Sequence, residues 1–330
     1  MKLLRKIGFP ISLIYGLVVY IRNMMFDYGL FQSNSYDTPT ICVGNLSVGG
    51  TGKTPMIEYL IALLKDNRRL AVLSRGYGRK TKGFLKAGPS TSVEHIGDEP
   101  FQIFKKYPQI SLVVDADRRH GIAVLEKDEK PDLILLDDAF QHRKVKPAFS
   151  ILLTAYGNLY VDDWYLPSGN LRDGKKEAGR ADLIVVTKCP PNLSLGDQGQ
   201  ITSKLQPLKH QQVLFSTLVY DTLLQGEGGS LELEELRGKK VLLVTGIANP
   251  APLLAYLNDA SVIFDHLEFR DHHFFTDKEI ALFNSKEMIL TTEKDYVRLK
   301  GKVNNLYYIG IEHRFLGDGR QQLLNALTTL

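Results

Sequence analysis

A doubly wound, mostly parallel α/β sheet of the phosphate-loop NTPase type, with a second, smaller α/β lobe on a two-strand linker, is the fold class these 330 residues predict. Three observations carry it. Thr40-Ile41-Cys42-Val43 is a short β-rich run that feeds a glycine-rich turn, Gly44-Asn45-Leu46-Ser47-Val48-Gly49-Gly50-Thr51-Gly52-Lys53-Thr54, and Met56 to Leu64 then has helical periodicity. Beyond that turn, β-like runs alternate with helical or polar stretches. A second alternation starts at Val241-Leu242-Leu243-Val244 and is too small to be another full nucleotide fold.

The elements follow in order. Residues 1–30 form an N-terminal segment with no charge from Ile7 to Tyr20, where Ile7, Ile11, Ile14, Leu17, Val18 and Ile21 recur at helical spacing. The uncharged stretch falls short of the roughly 20 residues that span a bilayer. No small-residue cleavage site follows before Arg22-Asn23-Met24-Met25, which argues against a secretory signal. The expectation is a helix beginning near Pro10 and lying in the cytoplasmic membrane interface, with Lys2, Arg5, Lys6 and Arg22 drawn to anionic headgroups. The alternative is a helix packed on the domain's own core. Localisation at the cytoplasmic face of the inner membrane, peripheral or monotopic, follows from the first reading.

Residues 31–210 are expected to form the phosphate-loop domain, with strands at Leu70–Leu73, Ser111–Val114, Leu133–Leu136, Ser150–Leu153 and Leu183–Val186. Pro190-Pro191, Pro207 and many polar residues mark residues 190–208 as the loop and helix that close it. The runs Val213–Val219 and Leu306–Ile309 bracket the second unit, so 211–222 and 304–312 are expected to be a two-strand hinge. The second lobe, 223–303, has further runs at Ser261–Phe264 and Met288–Leu290, and Gly226-Glu227-Gly228-Gly229 is a turn. Residues 313–330 are expected to carry a C-terminal helix. A lobe inserted in this way closes over a ligand held by the first and excludes water before chemistry.

Composition narrows the class. Hydrophobic residues at 44% and charged residues at 24% are ordinary for a globular enzyme. Of the net charge of +4, Lys2, Arg5, Lys6 and Arg22 against Asp27 place +3 in the first thirty residues. The remaining body is nearly neutral and has no basic stripe with interleaved aromatics, so nucleic acid is not an expected partner. Cys42 and Cys189 are the only cysteines, which points to a reducing compartment.

The chemistry begins at the turn. Ser47, Val48, Gly49, Gly50, Thr51, Gly52, Lys53 and Thr54 read as a phosphate-binding cradle, in which backbone N–H groups converge on phosphate oxygens. Lys53 reaches the β and γ phosphates and the Thr54 hydroxyl ligates Mg²⁺. Leu133-Ile134-Leu135-Leu136 ends in Asp137-Asp138, where a phosphate-loop enzyme places a second Mg²⁺ ligand. In Gly97-Asp98-Glu99-Pro100 the acids either cap a helix starting near Pro100 or serve the site, Asp98 accepting a hydroxyl proton and Glu99 supporting Mg²⁺. Asp271-His272-His273 sits in a segment too polar for core. Adjacent histidines make a poor chelate, so one imidazole tuning a carboxylate base fits better than zinc. Arg75 and Arg79 in Ser74-Arg75-Gly76-Tyr77-Gly78-Arg79, and Arg118 and Arg119 in Asp117-Arg118-Arg119-His120, follow predicted strands. They are candidates for phosphate or acidic-substrate contacts, against the alternative of solvated surface arginines.

In that order these elements resemble the tetraacyldisaccharide 4′-kinase family over nearly the whole length. The carriers are the basic apolar N-terminus, Val43 to Pro55, Ser74 to Arg79, Gly97-Asp98-Glu99-Pro100, Asp137-Asp138-Ala139-Phe140-Gln141-His142, Leu166-Pro167-Ser168-Gly169-Asn170-Leu171-Arg172, Asp271-His272-His273 and Thr292-Glu293-Lys294-Asp295. The resemblance implies transfer of the ATP γ-phosphoryl group to the 4′-hydroxyl of an acylated glucosamine disaccharide 1-phosphate held in the membrane. It also implies Lys53 on the phosphates, Thr54, Glu99 and Asp138 around Mg²⁺ with Asp137 in support, Asp98 as base, and His272 paired with Asp98 across the cleft. His142 and Arg172 join the expected substrate contacts. Where the family usually continues Leu-Arg with Glu, this chain has Asp173, one methylene shorter.

The competing class is a membrane-associated regulatory NTPase switch, or a metallochaperone-type NTPase, in which hydrolysis drives a conformational change. Guanine readers carry Asn/Thr-Lys-x-Asp, and Thr187-Lys188-Cys189-Pro190 lacks the Asp. A GTP switch therefore loses ground.

Overall fold

Two sheets organise the chain in the computed structural model, which describes residues 8–328 and residue 330. Lys2, Arg5, Lys6 and Ile7 lie outside the described residues. The larger sheet takes β1 (Thr40–Asn45), β2 (Leu70–Ser74), β3 (Leu85–Lys86), β4 (Ser111–Val114), β5 (Leu133–Asp137), β6 (Phe149–Ala155), β7 (Leu183–Thr187) and β8 (Gln212–Tyr220). The chain then builds a smaller sheet from β9 (Leu223–Gly226), β10 (Gly229–Glu232), β11 (Val241–Thr245), β12 (Phe264–Glu268), β13 (Met288–Thr292) and β14 (Leu306–Ile309), before β15 (Ile311–Phe315) returns to the larger one.

The nine strands of the larger sheet lie in the order β15-β8-β7-β6-β1-β5-β2-β4-β3. Its two edge strands, β15 and β3, run antiparallel to their neighbours and the rest pair parallel. Every residue of β1 is buried, as expected for a central strand covered on both faces. Ile41 and Val43 face a core shared with Met56, Ile57 and Leu60 of the helix Lys53–Leu64, whereas Cys42 faces a second core with Ala71, Leu73, Ile122 and Leu152. Since β5 and β6 flank β1 on opposite sides, the chain order reverses there. The crevice outside the strand ends opens at that point.

The smaller sheet runs β10-β9-β14-β13-β11-β12. Leu306–Ile309, read from the sequence as a hinge strand, lies inside this sheet, paired parallel with β13. The strand that pairs with β8 in the linker is β15, with Ile311 opposite Tyr220 and Phe315 opposite Ser216. Gly310 makes the crossing: a Cβ there would meet Asp221 Oδ2 at 2.1 Å, and the Asp221 N–H donates to the Gly310 carbonyl at 3.1 Å. The run expected at Ser261–Phe264 is also displaced. Ser261 takes a left-handed φ of 60° after the helix Ala251–Asp259, and β12 starts only at Phe264. The last helix begins at Gly319, after β15 has used residues 311–315.

The helix Phe9–Asp27 starts with proline in its first turn and docks on the first lobe through an unusual stripe. Its buried residues are Ser12, Gly16, Val19 and Asn23, three of them small or polar. Gly16 lets the helix approach the Tyr165 ring, whose nearest atom would sit 2.7 Å from an added Cβ. The apolar residues face outward: Ile11, Ile14, Leu17 and Val18 are each 57–64% exposed. The helix is long and apolar enough to cross a membrane by length and composition alone. Arg22, expected among the headgroup contacts, turns inward instead. It donates to the Gln141 carbonyl at 3.1 Å and lies 3.8 Å from the fully buried Asp173 carboxylate, which supplies the negative charge a lipid would otherwise offer.

Candidate active site

The phosphate loop leaves β1 at Asn45 and re-enters regular structure at Lys53. Gly52 caps the helix in a left-handed conformation, φ 88°, that other residues rarely adopt. Its position is also fixed from behind. The His313 Nε2–H donates to the Gly52 carbonyl at 2.9 Å while Nδ1 accepts from the Ser216 hydroxyl at 3.0 Å, and the Thr187 hydroxyl donates to the Thr51 carbonyl at 2.8 Å. Burial is the main reason His313 is held down to about 4, so it stays neutral and in that tautomer near pH 7. The Val48 N–H is committed to the Asn170 carbonyl at 2.7 Å, and Ser47 bridges to Leu171. The front of the loop is therefore tied to the segment carrying Arg172. Asn45, which the sequence reading quoted without a role, stitches the loop together by donating to Thr51 Oγ1 at 3.0 Å and accepting from Arg172 at 2.6 Å and Lys53 at 3.4 Å.

Two carboxylates stand where β5 ends. Asp137 is buried and accepts from the Ser74 hydroxyl at 2.9 Å. Burial, and then the charges of Asp138 and Glu99, push it up to about 6. Asp138 adopts φ 46° and faces the loop, with Lys53 Nζ 3.9 Å away and the Arg172 guanidinium forked onto its two oxygens. Although burial opposes it, this pairing holds Asp138 below the usual carboxylate range. Lys53, Asp137, Asp138, Glu99 and Arg172 thus share one electrostatic neighbourhood.

Asp98 opens the helix Asp98–Lys106, where the positive end of the macrodipole favours an ionised carboxylate. The second lobe supplies its partners. His272, held at φ 62°, donates from Nδ1 to Asp98 Oδ2 at 2.5 Å, and its Nε2 accepts from Lys294 at 3.1 Å, which fixes the tautomer. Arg298, buried on the helix Glu293–Leu299, forks onto both Asp98 oxygens, with Nε to Oδ1 at 2.8 Å. Burial opposes ionisation, but His272 and Arg298 outweigh it and hold Asp98 far below the ordinary range. Lys294 also lies 3.8 Å from Glu99. His273 turns elsewhere, stacking on Phe269 and pairing with Glu279 at 3.1 Å.

The remaining expected contacts divide. Arg75 is exposed at the end of β2. Arg79 donates to the Gly83 and Val114 carbonyls and so braces its own loop. Arg118 is buried, bonding the Asp115 and Asp137 carbonyls, and supports the acidic pair from beneath. Arg119 pairs with the neighbouring Asp117 at 2.7 Å. His142 lies 3.9 Å from Asp117, and burial followed by the Arg118 charge lowers it to about 4. Asp173 is turned from the loop to accept from Asn23 of the N-terminal helix at 2.7 Å. Sequence reasoning missed Arg298, Lys294, His313 and Lys188. Lys294 stands inside a quoted motif, but nothing in its spacing signals a cross-lobe contact.

The sequence model described as Tetraacyldisaccharide-1-P 4'-kinase matches residues 4–329. The Tetraacyldisaccharide 4'-kinase of Flavobacterium johnsoniae is 49% identical over 322 residues, covering 96% of this chain and 94% of its own. That of Porphyromonas gingivalis is 37% identical, covering 96% and 95%. Among solved structures, LpxK from Aquifex aeolicus, an "apo" form in complex with ATP, superposes with a TM-score of 0.81 at 30% identity and covers 98% of each chain.

Proposed function

The chain belongs to the tetraacyldisaccharide-1-P 4'-kinase family, and on that premise we propose how its own residues divide the work. The reaction transfers the γ-phosphoryl group of ATP to the 4′-hydroxyl of a tetraacyldisaccharide 1-phosphate, giving the 4′-phosphorylated lipid A precursor and ADP. An NTPase switch needs no carboxylate reaching across to a second lobe, and the cross-lobe meeting of Asp98 with His272 and Arg298 is the observation that favours the kinase.

In this reading the amides from Gly49 to Thr54, apart from that of Thr51, which donates to the Gly49 carbonyl at 3.1 Å, bind the triphosphate and Lys53 takes its β and γ charge. Thr54, Asp138 and Glu99 would hold Mg²⁺, with Asp137 in support, and the bound ion would neutralise charge on the phosphate oxygens. The donors fit. They are hard oxygens, and after burial their mutual repulsion raises Asp137, which a divalent cation would relieve. Asp98 orients the 4′-hydroxyl and takes its proton as the new O–P bond forms and the bond to ADP breaks. Its low basicity is tolerable because a loose phosphoryl-transfer transition state depends on positioning and charge neutralisation more than on early proton removal. His272 and Arg298 fix the carboxylate. Arg75 is the remaining exposed cation for an anionic substrate group, and Arg172 is close enough to Asp138 to pass to the transferred group.

The acyl chains stay with the bilayer. A cavity of about 540 Å³ runs beside the N-terminal helix, walled by Phe9, Leu13, Tyr20, Met24, Trp164 and Tyr165. Together with the outward Ile11, Ile14, Leu17 and Val18, it supports a peripheral or monotopic seat on the cytoplasmic face of the inner membrane. The test is γ-labelled ATP with the acylated disaccharide 1-phosphate. Label in the lipid fraction, abolished in Lys53→Ala, supports the assignment; label released only as free phosphate overturns it.

A further inference from the structure

The turn after β7 carries a lysine to which the reaction described above gives no task. Lys188 holds a left-handed φ of 58°, a conformation unfavourable for a residue with a side chain, so the surrounding structure must impose it. The preceding residue shows how. The Thr187 hydroxyl is bonded to the Thr51 carbonyl of the phosphate loop, so the turn is clamped to the loop and the Lys188 chain is sent back across it. Among the described residues, its own chain neighbours apart, a Cβ built on Gly50 would meet Lys188 Nζ, at 3.8 Å.

The charge balance there is incomplete. Lys53, at the other end of the loop, has Asp138 3.9 Å away. Among the described residues no carboxylate pairs with Lys188, and its ammonium adds to the forces that keep the buried His313 neutral. An exposed cation beside the glycine-rich turn, with no acid paired to it among the described residues, is placed to meet an anion that this loop is built to receive.

We propose that Lys188 is a nucleotide-binding residue, a second cation that closes over Gly50 onto the phosphates of bound ATP. This rests on the kinase reading of the loop and adds to it a contact that its glycine-rich motif does not contain. The positive charge arrives from the end of β7, which β6 separates from β1. The nucleotide phosphates are then held between Lys53 on the helix side and Lys188 on the β7 side.

Calorimetric titration with a non-hydrolysable ATP analogue, with ADP and with adenosine tests it on wild type, Lys188→Met, Lys188→Arg and Lys53→Met. Lys188→Met keeps the stem and removes the charge. It should weaken the analogue and ADP about tenfold, leave adenosine unchanged, and keep the nucleotide-free melting temperature; Lys188→Arg should restore most of the affinity. Unchanged analogue binding in Lys188→Met, with binding lost in Lys53→Met, overturns the proposal while the phosphate loop stands. An equal loss for adenosine also overturns it, by showing that the stem packs on the base. If neither variant affects binding, the loop assignment itself fails.

Discussion

At the residue scale, Asp98 is the most constrained group in the cleft, and its constraint comes from residues 174 and 200 positions away. Arg298 and Asp98 are both buried, so removing one leaves a charge without its partner. Arg298→Met should therefore destabilise the protein by about 3–5 kcal/mol in urea unfolding, more than Asp98→Asn, which leaves a polar group in place. The pH dependence has a defined sign. Asp98 is depressed in the folded state, so its stabilisation is complete above the ordinary carboxylate pKa near 3.8 and is lost as pH falls below it. Acid unfolding of Asp98→Asn should thus be shallower than that of wild type below pH 4; superimposable acid limbs would show that the pair is not formed in solution.

At the element scale, the N-terminal helix inverts the usual rule by docking its small and polar stripe and presenting its apolar face outward. Its docking reaches the chemistry directly. The Tyr15 hydroxyl donates to the Arg172 carbonyl at 3.2 Å, and Arg22 bonds Gln141, whose amide in turn donates to the Asn45 carbonyl at 2.7 Å. Two variants separate the faces. Ile14→Glu with Leu17→Glu should leave the melting temperature unchanged but abolish sedimentation with anionic vesicles. Gly16→Leu should lower the melting temperature and turnover together, because the added side chain meets the Tyr165 ring. The outward apolar residues were legible from their spacing and their basic flanks. The anchoring stripe was not, because Ser12 and Asn23 are ordinary surface residues until Ser168 and Asp173 are brought to them by the fold.

At the scale of the whole molecule, the lobes also meet behind the cleft. Lys106 sits between Glu58 of the first lobe at 2.6 Å and Glu293 of the second at 3.1 Å, so two buried carboxylates share one cation. Burial and the Glu58 charge push Glu293 up to about 7, from an ordinary value of 4.5. A raised acid stabilises fully below its unfolded pKa, and that contribution is lost as pH rises through 7. His142 and His313, held near 4, act with the opposite sign below pH 6.5, so the informative quantity is a difference. The stability of wild type minus that of Glu293→Gln should decline from pH 5 to pH 8; a flat difference would contradict the shared-cation arrangement. What could be read in advance follows the same division by distance. The phosphate loop, the acids where β5 ends and the alternation of strands are local patterns, fixed by a few adjacent residues. The β15 pairing, the Arg298 clamp and the inward turn of Arg22 depend on residues far apart in sequence, so no window of the chain contained them. The central claim is that one catalytic centre is assembled from both lobes, and a double-mutant cycle on kcat with Asp98→Ala and His272→Ala tests it most directly. Residues acting as one unit should be strongly non-additive, the double variant being no slower than the worse single; losses that simply multiply would show that the two side chains work apart.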